Sequence, residues 1–458
     1  MELTKESDRL GKEAIVPLLL KLSAPGVVGM MINALYNIVD SIYIGRLSTE
    51  ALSALSLSFP IQMIIISVAA GTGIGTNSLI SRLLGEGKKH QANNTAEHVF
   101  VIALVYAAIT MVVGFFWGQD LIGIFTNDQQ LIDLTSQYLQ IIMMGSIVLF
   151  VPIIFNNILR GEGNTFTPML TMIIGAITNI VLDPFLIFGI GFFPALGVKG
   201  AAIATLIGRG LAGLFIMYIV LFGDNELTLE LSDFEFDLDI LKDIYQVGFP
   251  AMLMRGLASV MLAGMNKIVG YYDTTAIAVV GIYFRMQSII ILPIFGLSQG
   301  FMPLVGYNYG HGNPKRMKKT IAFGAVLALT FTLIGFTVFQ IFSEQLIRLF
   351  NKDPELIKIG SNALKRISFA YLIMGLNIIG STTFQALGRG FPSLFISSLR
   401  QIFILLPVMY FLGKIEGLKT LWFAFPIAEV IAFSLLIVWL LSTIKKALYE
   451  MGDRSAYC

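Results

Sequence analysis

The chain has 458 residues, 56% of them hydrophobic and 13% charged, and its net charge is +2. Soluble domains carry about 25% charged residues, so this composition excludes a soluble globular protein and makes lipid the solvent for most of the surface. Lys and Arg are scattered between apolar runs and form no basic stripe, which excludes a nucleic-acid partner.

A transmembrane helix needs about 20 mostly apolar residues. In chain order the sequence predicts twelve, over 14–44, 51–81, 95–118, 130–159, 165–189, 200–223, 241–271, 277–307, 318–345, 357–387, 391–413 and 418–445. The opening "MELTKESDRLGKEAIVPLLL" has mixed charge and no small-residue cleavage site, so the first span is expected to be retained rather than cleaved as a signal peptide. Alternation at period two is absent, which argues against a lipid-facing barrel. The expected fold is an all-α integral membrane protein.

Span one carries the first costly residue, Asp40. A carboxylate at the bilayer centre costs on the order of 3 kcal/mol. Asp40 follows Tyr36, Asn37 and Asn33 at helical spacing, so a phenol, two amides and an acid lie near one face. Span five repeats the theme in "ITNIVLDPFLIFG", where Asn179 and Asp183 are one turn apart and Pro184 withdraws a backbone donor. Span six adds Thr205 in "GAAIATLIG". Two carboxylates, an amide and a hydroxyl form an oxygen-rich set suited to a proton or a hard cation such as Na⁺, with Asp40 and Asp183 as its charged ligands. A residue-poor alternative, in which these groups only glue helices together, is weak because such contacts average under about 1 kcal/mol.

The polar stretch "GDNELTLELSDFEFDLD" follows span six, and residues 223–240 are expected to be a cytoplasmic linker between a lobe over 1–222 and a second over 241–458. A shift of 225 residues superimposes Pro25 on Pro250, Gly45 on Gly270, Gly71 on Gly296, Gly75 on Gly300, Gly85 on Gly310 and Gly87 on Gly312. A later echo aligns Gly161 and Gly163 with Gly388 and Gly390. Six spans per half give both copies the same orientation, a parallel pseudo-two-fold repeat enclosing a central cleft suited to alternating access. The second half does not mirror the acids: Asp40 falls on Met265. Span twelve contributes Glu429, either paired with a basic side chain or lining the cleft. Arg209, Arg255, Arg285 and Arg400 either balance the acids or snorkel towards an interface.

If the spans alternate, Arg82, Lys88, Lys89, Arg160, Lys315, Arg316, Lys318, Lys319, Arg389, Lys445 and Lys446 share one side. That side is expected to be cytoplasmic, together with both termini, in a plasma-membrane protein. His90, His98 and His311 lie near polar loops and are expected to be solvated, and the single Cys458 forms neither an internal disulfide nor a thiolate metal site. HExxH, nucleophile-elbow and metal-spaced Cys or His patterns are absent, so no enzyme is expected. Nothing resembles a channel selectivity filter.

Five stretches in order, "APGVVGMMINALYNIVDSIYIGRL", "GTGIGTNSLISRLLGEGK", "ILRGEGNTFTPM", "TNIVLDPFLIFG" and "GVKGAAIAT", resemble the multidrug and toxic compound extrusion (MATE) family, in particular its DinF-like branch. The resemblance covers nearly the whole chain. It implies an antiporter that expels amphipathic, typically cationic, compounds in exchange for inward H⁺ or Na⁺, with no cofactor. The implied cation site is Asp40, Asn179, Asp183 and Thr205. The implied substrate chamber takes in Tyr36, Asn37, Tyr138, Asn156 and Glu429, and Pro25 matches a position where the first span bends. The expected partners are small amphipathic molecules and the bilayer, and the chain is expected to act as a monomer. A flippase for a lipid-linked substrate of the wider superfamily is the alternative; such proteins favour a strongly cationic cleft, whereas the spans here carry acids at the motif positions, which argues for cationic cargo.

Overall fold

The computed structural model describes residues 6–191, 193–229 and 234–456. Cys458 and residues 230–233 of the linker lie outside them. A short α1 (Glu6–Lys12) precedes α2 (Ile15–Leu47), α3 (Thr49–Gly85), α4 (Lys89–Gly123), α5 (Gln129–Met144), α6 (Ile147–Glu162), α7 (Phe166–Phe188) and α8 (Val198–Phe222). The second half comprises α9 (Leu238–Tyr272), α10 (Thr274–Gly310), α11 (Pro314–Arg348), α12 (Pro354–Ile367), α13 (Tyr371–Ala386), α14 (Gly390–Ser398), α15 (Leu405–Glu416), α16 (Leu418–Leu421) and α17 (Ala424–Ala456). Eleven helical segments among the described residues are long and apolar enough to cross a bilayer, and a bent pair brings the number to twelve.

That bent pair is span four. Helices α5 and α6 meet at 51° rather than running as one rod. The break falls on Gly145–Ser146, a small-residue pair of the kind that kinks helices, and the Ser146 hydroxyl donates to the Ala107 carbonyl of α4 instead of bonding within its own helix. Span eleven is also irregular. Between α14 and α15 the backbone makes a π turn over Leu399–Ile404, and Pro407 just beyond it has no amide to give to Phe403.

The lobes are built on a shared register. Helix α2 packs across on α10, and α3 on α9. These contacts need glycine: a methyl group at Gly71 would lie 2.7 Å from the Gly248 carbonyl oxygen, and one at Gly296 would lie 2.5 Å from Val27 Cα. Farther along, a methyl at Gly85 would sit 2.2 Å from the Tyr307 carbonyl oxygen, and one at Gly310 would sit 2.1 Å from that of Arg82. The repeat-mates Gly85 and Gly310 thus close the two lobes against each other at one end.

Turn geometry corrects the later echo. Gly163 (φ 97°) and Gly388 (φ 77°) both end helices in the left-handed region, as do Gly87 (φ 74°) and Gly312 (φ 67°). In each pair the same bonds recur: Asn164 N–H to Leu159 O at 2.9 Å matches Arg389 N–H to Phe384 O at 2.8 Å. Gly163 therefore pairs with Gly388, not Gly390, and the shift of 225 holds throughout. The reason is steric, because only glycine enters this region without penalty.

One histidine departs from expectation. His90 and His311 are exposed, but His98 is buried on α4. Its Nδ1 bonds the Asn94 carbonyl at 2.8 Å, its Nε2 accepts from the Asp237 amide at 2.8 Å, and its ring lies against Phe234 and Phe236. The linker is therefore clamped onto the first lobe. Glu162 accepts from the Glu226 and Leu227 amides, and Asn93 bonds Thr228. A polar loop needs partners for its backbone, and this histidine supplies one.

Candidate functional site

Close packing of three helices creates the polar cluster of the first lobe. A methyl at Gly29 of α2 would lie 2.9 Å from Met172 Sδ of α7, and one at Gly208 of α8 would lie 2.7 Å from the Gly175 carbonyl oxygen of α7. Small residues at these positions let the backbones approach; Asn179 lies one turn beyond Gly175 and Thr205 one turn before Gly208, with Asp183 two turns beyond Gly175 and Asp40 three turns beyond Gly29.

Asp40 from α2 is 6% exposed and Asp183 from α7 is 0% exposed. Their carboxyl groups come within hydrogen-bonding reach of each other. Asn179 Nδ2 donates to Asp183 Oδ1 and to Thr205 Oγ1, both at 3.2 Å. The Tyr36 hydroxyl lies close to Thr205. Tyr138, buried on α5, and Arg209, one turn beyond Thr205 on α8, are electrostatic neighbours of Asp40. Asp40 Oδ1, Asp183 Oδ2 and Asn179 Oδ1 are buried acceptors without a donor. Buried acceptors are normally satisfied, and three orphaned oxygens around two carboxylates fit a shared proton or a small oxygen-seeking cation. Among the described residues no group of three or more His, Cys, Asp or Glu is placed to hold a metal, so any cation here relies on the amide and hydroxyl to complete its shell.

The polar face of α2 divides. Tyr36 and Asp40 enter this cluster, whereas Asn33 and Asn37 are exposed and bonded to one another along the helix. Asn156 on α6 is buried, and among the described residues its Oδ1 has no partner, in the cluster or elsewhere. Helix α2 runs unbroken through Pro25. Glu429 has a different setting: it pairs with Arg400 of the π turn and accepts from Asn377 Nδ2 of α13 at 2.5 Å. Of the two roles open to Glu429, the ion pair is the one the structure shows. Of the two roles open to Arg209, balancing the acids is the one supported by its place beside Asp40, one helical turn after Thr205.

The family model MatE matches residues 25–185 and 250–411, one match per lobe, beginning at the paired Pro25 and Pro250. The chain belongs to the MATE family. It is thus a multi-pass membrane transporter and not an enzyme. This MATE protein is 30% identical to an FAD transporter of Shewanella oneidensis, over 90% of this chain and 91% of that one. It is 28% identical to the multidrug export protein MepA of Staphylococcus haemolyticus, over 92% of each. A solved MOP-superfamily transporter from Pyrococcus furiosus superposes with a TM-score of 0.90 at 28% identity, covering 97% of this chain and 99% of that one.

Proposed function

We propose that this MATE protein is a secondary active exporter of amphipathic small molecules, cationic drugs among them, driven by inward H⁺ or Na⁺ bound by Asp40, Asn179, Asp183 and Thr205. One observation carries the reading: two buried carboxylates face each other with oxygens left unsatisfied. Two adjacent buried charges are costly, and a proton or cation between them relieves both repulsion and desolvation. The cluster's state of charge then sets how α2 packs on α7, with Pro25 as the point where α2 gives. Tyr36, Asn37 and Tyr138 border the chamber that this packing shapes. In this reading the lysine- and arginine-rich end is cytoplasmic, and the site lies in the first lobe as in the DinF-like branch. The name of the MepA relative supports multidrug cargo for that protein and motivates it here.

For a neutral cargo the membrane potential alone is a sufficient driving force; for a monocation exchanged one for one it cancels, and the concentration gradient of the coupling ion drives export. One charge moving through 100 mV supplies about 2.3 kcal/mol, which sustains roughly a fifty-fold gradient of a neutral cargo. The test is ethidium export in inside-out vesicles with pH and Na⁺ gradients imposed separately. Asp40→Asn is expected to abolish the response to whichever gradient drives the wild type. Normal gradient-driven export by Asp40→Asn would sink the proposal.

A further inference from the structure

Two arginines continue the helix stripes through which the lobes pack on each other. Helix α9 meets α3 through Ile244, Gly248 and Met252, which lie under Gly75 and Gly71. Continued at helical spacing, that stripe reaches Arg255 and Ser259, both exposed. The face that is packed at Met252 is open at Arg255, so the lobes part there. Arg255 is near the middle of the 35-residue α9, about 25 Å from either end, too deep to snorkel. It has no hydrogen bond or ion pair to another described residue. Helix α10 repeats the arrangement. Gly300 and Gly296 pack on Leu22 and Val27 of α2, and the same stripe then reaches Ile289 and the exposed, unpaired Arg285.

The acids do not offset these cations in the cleft. Asp40 and Asp183 are buried inside the first lobe, and Glu429 is paired with Arg400. An unpaired guanidinium at mid-membrane depth is expensive unless it faces a cavity and finds a partner. Beside the arginines the cleft is apolar: the repeat-mates Ile64 and Ile289 are 66% and 73% exposed.

From this geometry we infer an anion-anchoring subsite in the cleft between the lobes, in which Arg255, with Arg285 of α10 as a second cation, seats a carboxylate or phosphate of an amphipathic cargo whose apolar body rests on Ile64 and Ile289. The inference rests on the exporter reading and widens its cargo to amphipaths that bear an anionic group. Guanidinium suits this role because its planar fork bonds both oxygens of such a group.

The experiment uses the full chain purified in detergent, with carboxyfluorescein as the anionic ligand and ethidium as the cationic one, both read by fluorescence polarisation. The wild type is expected to bind carboxyfluorescein, and Arg255→Ala to weaken it about tenfold relative to ethidium, the loss of one charged hydrogen-bonded pair. Arg255→Lys keeps the charge but loses the fork, and is expected to fall between the two. It carries the test should the alanine variant fail to fold. An unchanged ratio of affinities in both variants overturns the inference, as does a wild type that binds ethidium but not carboxyfluorescein. Phosphatidylglycerol that displaces carboxyfluorescein only when Arg255 is present identifies a lipid headgroup as occupant and overturns the cargo assignment. Binding through Arg255 without ethidium export in vesicles leaves the subsite standing and removes the exporter reading.

Discussion

At the scale of single residues, the first-lobe cluster depends on Asn179, which holds Asp183 and Thr205 with one amide group. Asn179→Ala removes both bonds and leaves the carboxylates less well positioned. Gradient-driven ethidium export is expected to fall about tenfold, equivalent to roughly 1.4 kcal/mol, with no change in melting temperature as large as that from breaking an ion pair. The contrast is Glu429→Gln. It leaves the Arg400 guanidinium, 23% exposed, without its anion. Breaking such a pair costs on the order of 3 kcal/mol, so the melting transition in detergent is expected to drop while the cation dependence of any remaining export persists. Both acids stand out in the sequence because charge inside an apolar run is rare. What each acid does is set by its neighbours. Asp40 has another carboxylate beside it and Arg209 as an electrostatic neighbour, whereas Glu429 is bonded directly to Arg400, and nothing within either helix's own spacing distinguishes the two.

At the scale of elements, two pairs of glycines that end helices in the left-handed region, Gly87 with Gly312 and Gly163 with Gly388, carry the repeat in their turn geometry. Gly312 has open space around it, so Gly312→Ala tests the backbone alone and is expected to cost about 1 kcal/mol. A methyl at Gly388 would in addition lie 2.5 Å from the Arg82 guanidinium, so Gly388→Ala is expected to cost more. Thermal melting of the two variants side by side checks the order. Most span boundaries were legible from hydropathy to within about four residues, since lipid demands a fixed apolar length, but α4 starts six residues before the expected 95 and α17 runs eleven past 445, because a helix can continue beyond the hydrocarbon. The break at Gly145–Ser146 and the π turn at Leu399–Ile404 were not, because hydropathy is blind to which backbone bonds a helix makes.

At the scale of the whole molecule, Gly85 and Gly310 set how closely the lobes approach at one end. Gly85→Ala places a methyl against the Tyr307 carbonyl, a backbone atom that cannot rotate away. The lobes are expected to separate there: spin labels at Lys88 and Lys315 should report a longer distance, and ethidium export should be lost while the protein stays folded. The linker is also part of the assembly. His98→Phe keeps the aromatic contacts with Phe234 and Phe236 but loses the bond from the Asp237 amide. A lowered melting temperature equivalent to about 1 kcal/mol is expected. The expectation of a solvated His98 failed because a polar loop in sequence can still fold onto a lobe, and its backbone amides then recruit whatever acceptor is at hand.

The sequence by itself determined the solvent, the number of spans, the two-lobe repeat and the acids worth noticing, because each follows from the cost of placing a given side chain in hydrocarbon. Only the tertiary structure decided which of those groups meet. Asp40 and Asp183 lie on different helices, brought together by glycines that let α2, α7 and α8 approach. Arg255 is exposed one turn beyond Met252, the last residue of its stripe packed against Gly71 of α3. Contacts between helices depend on crossing angle and backbone separation, and these arise from packing summed over both lobes rather than from any local run of residues.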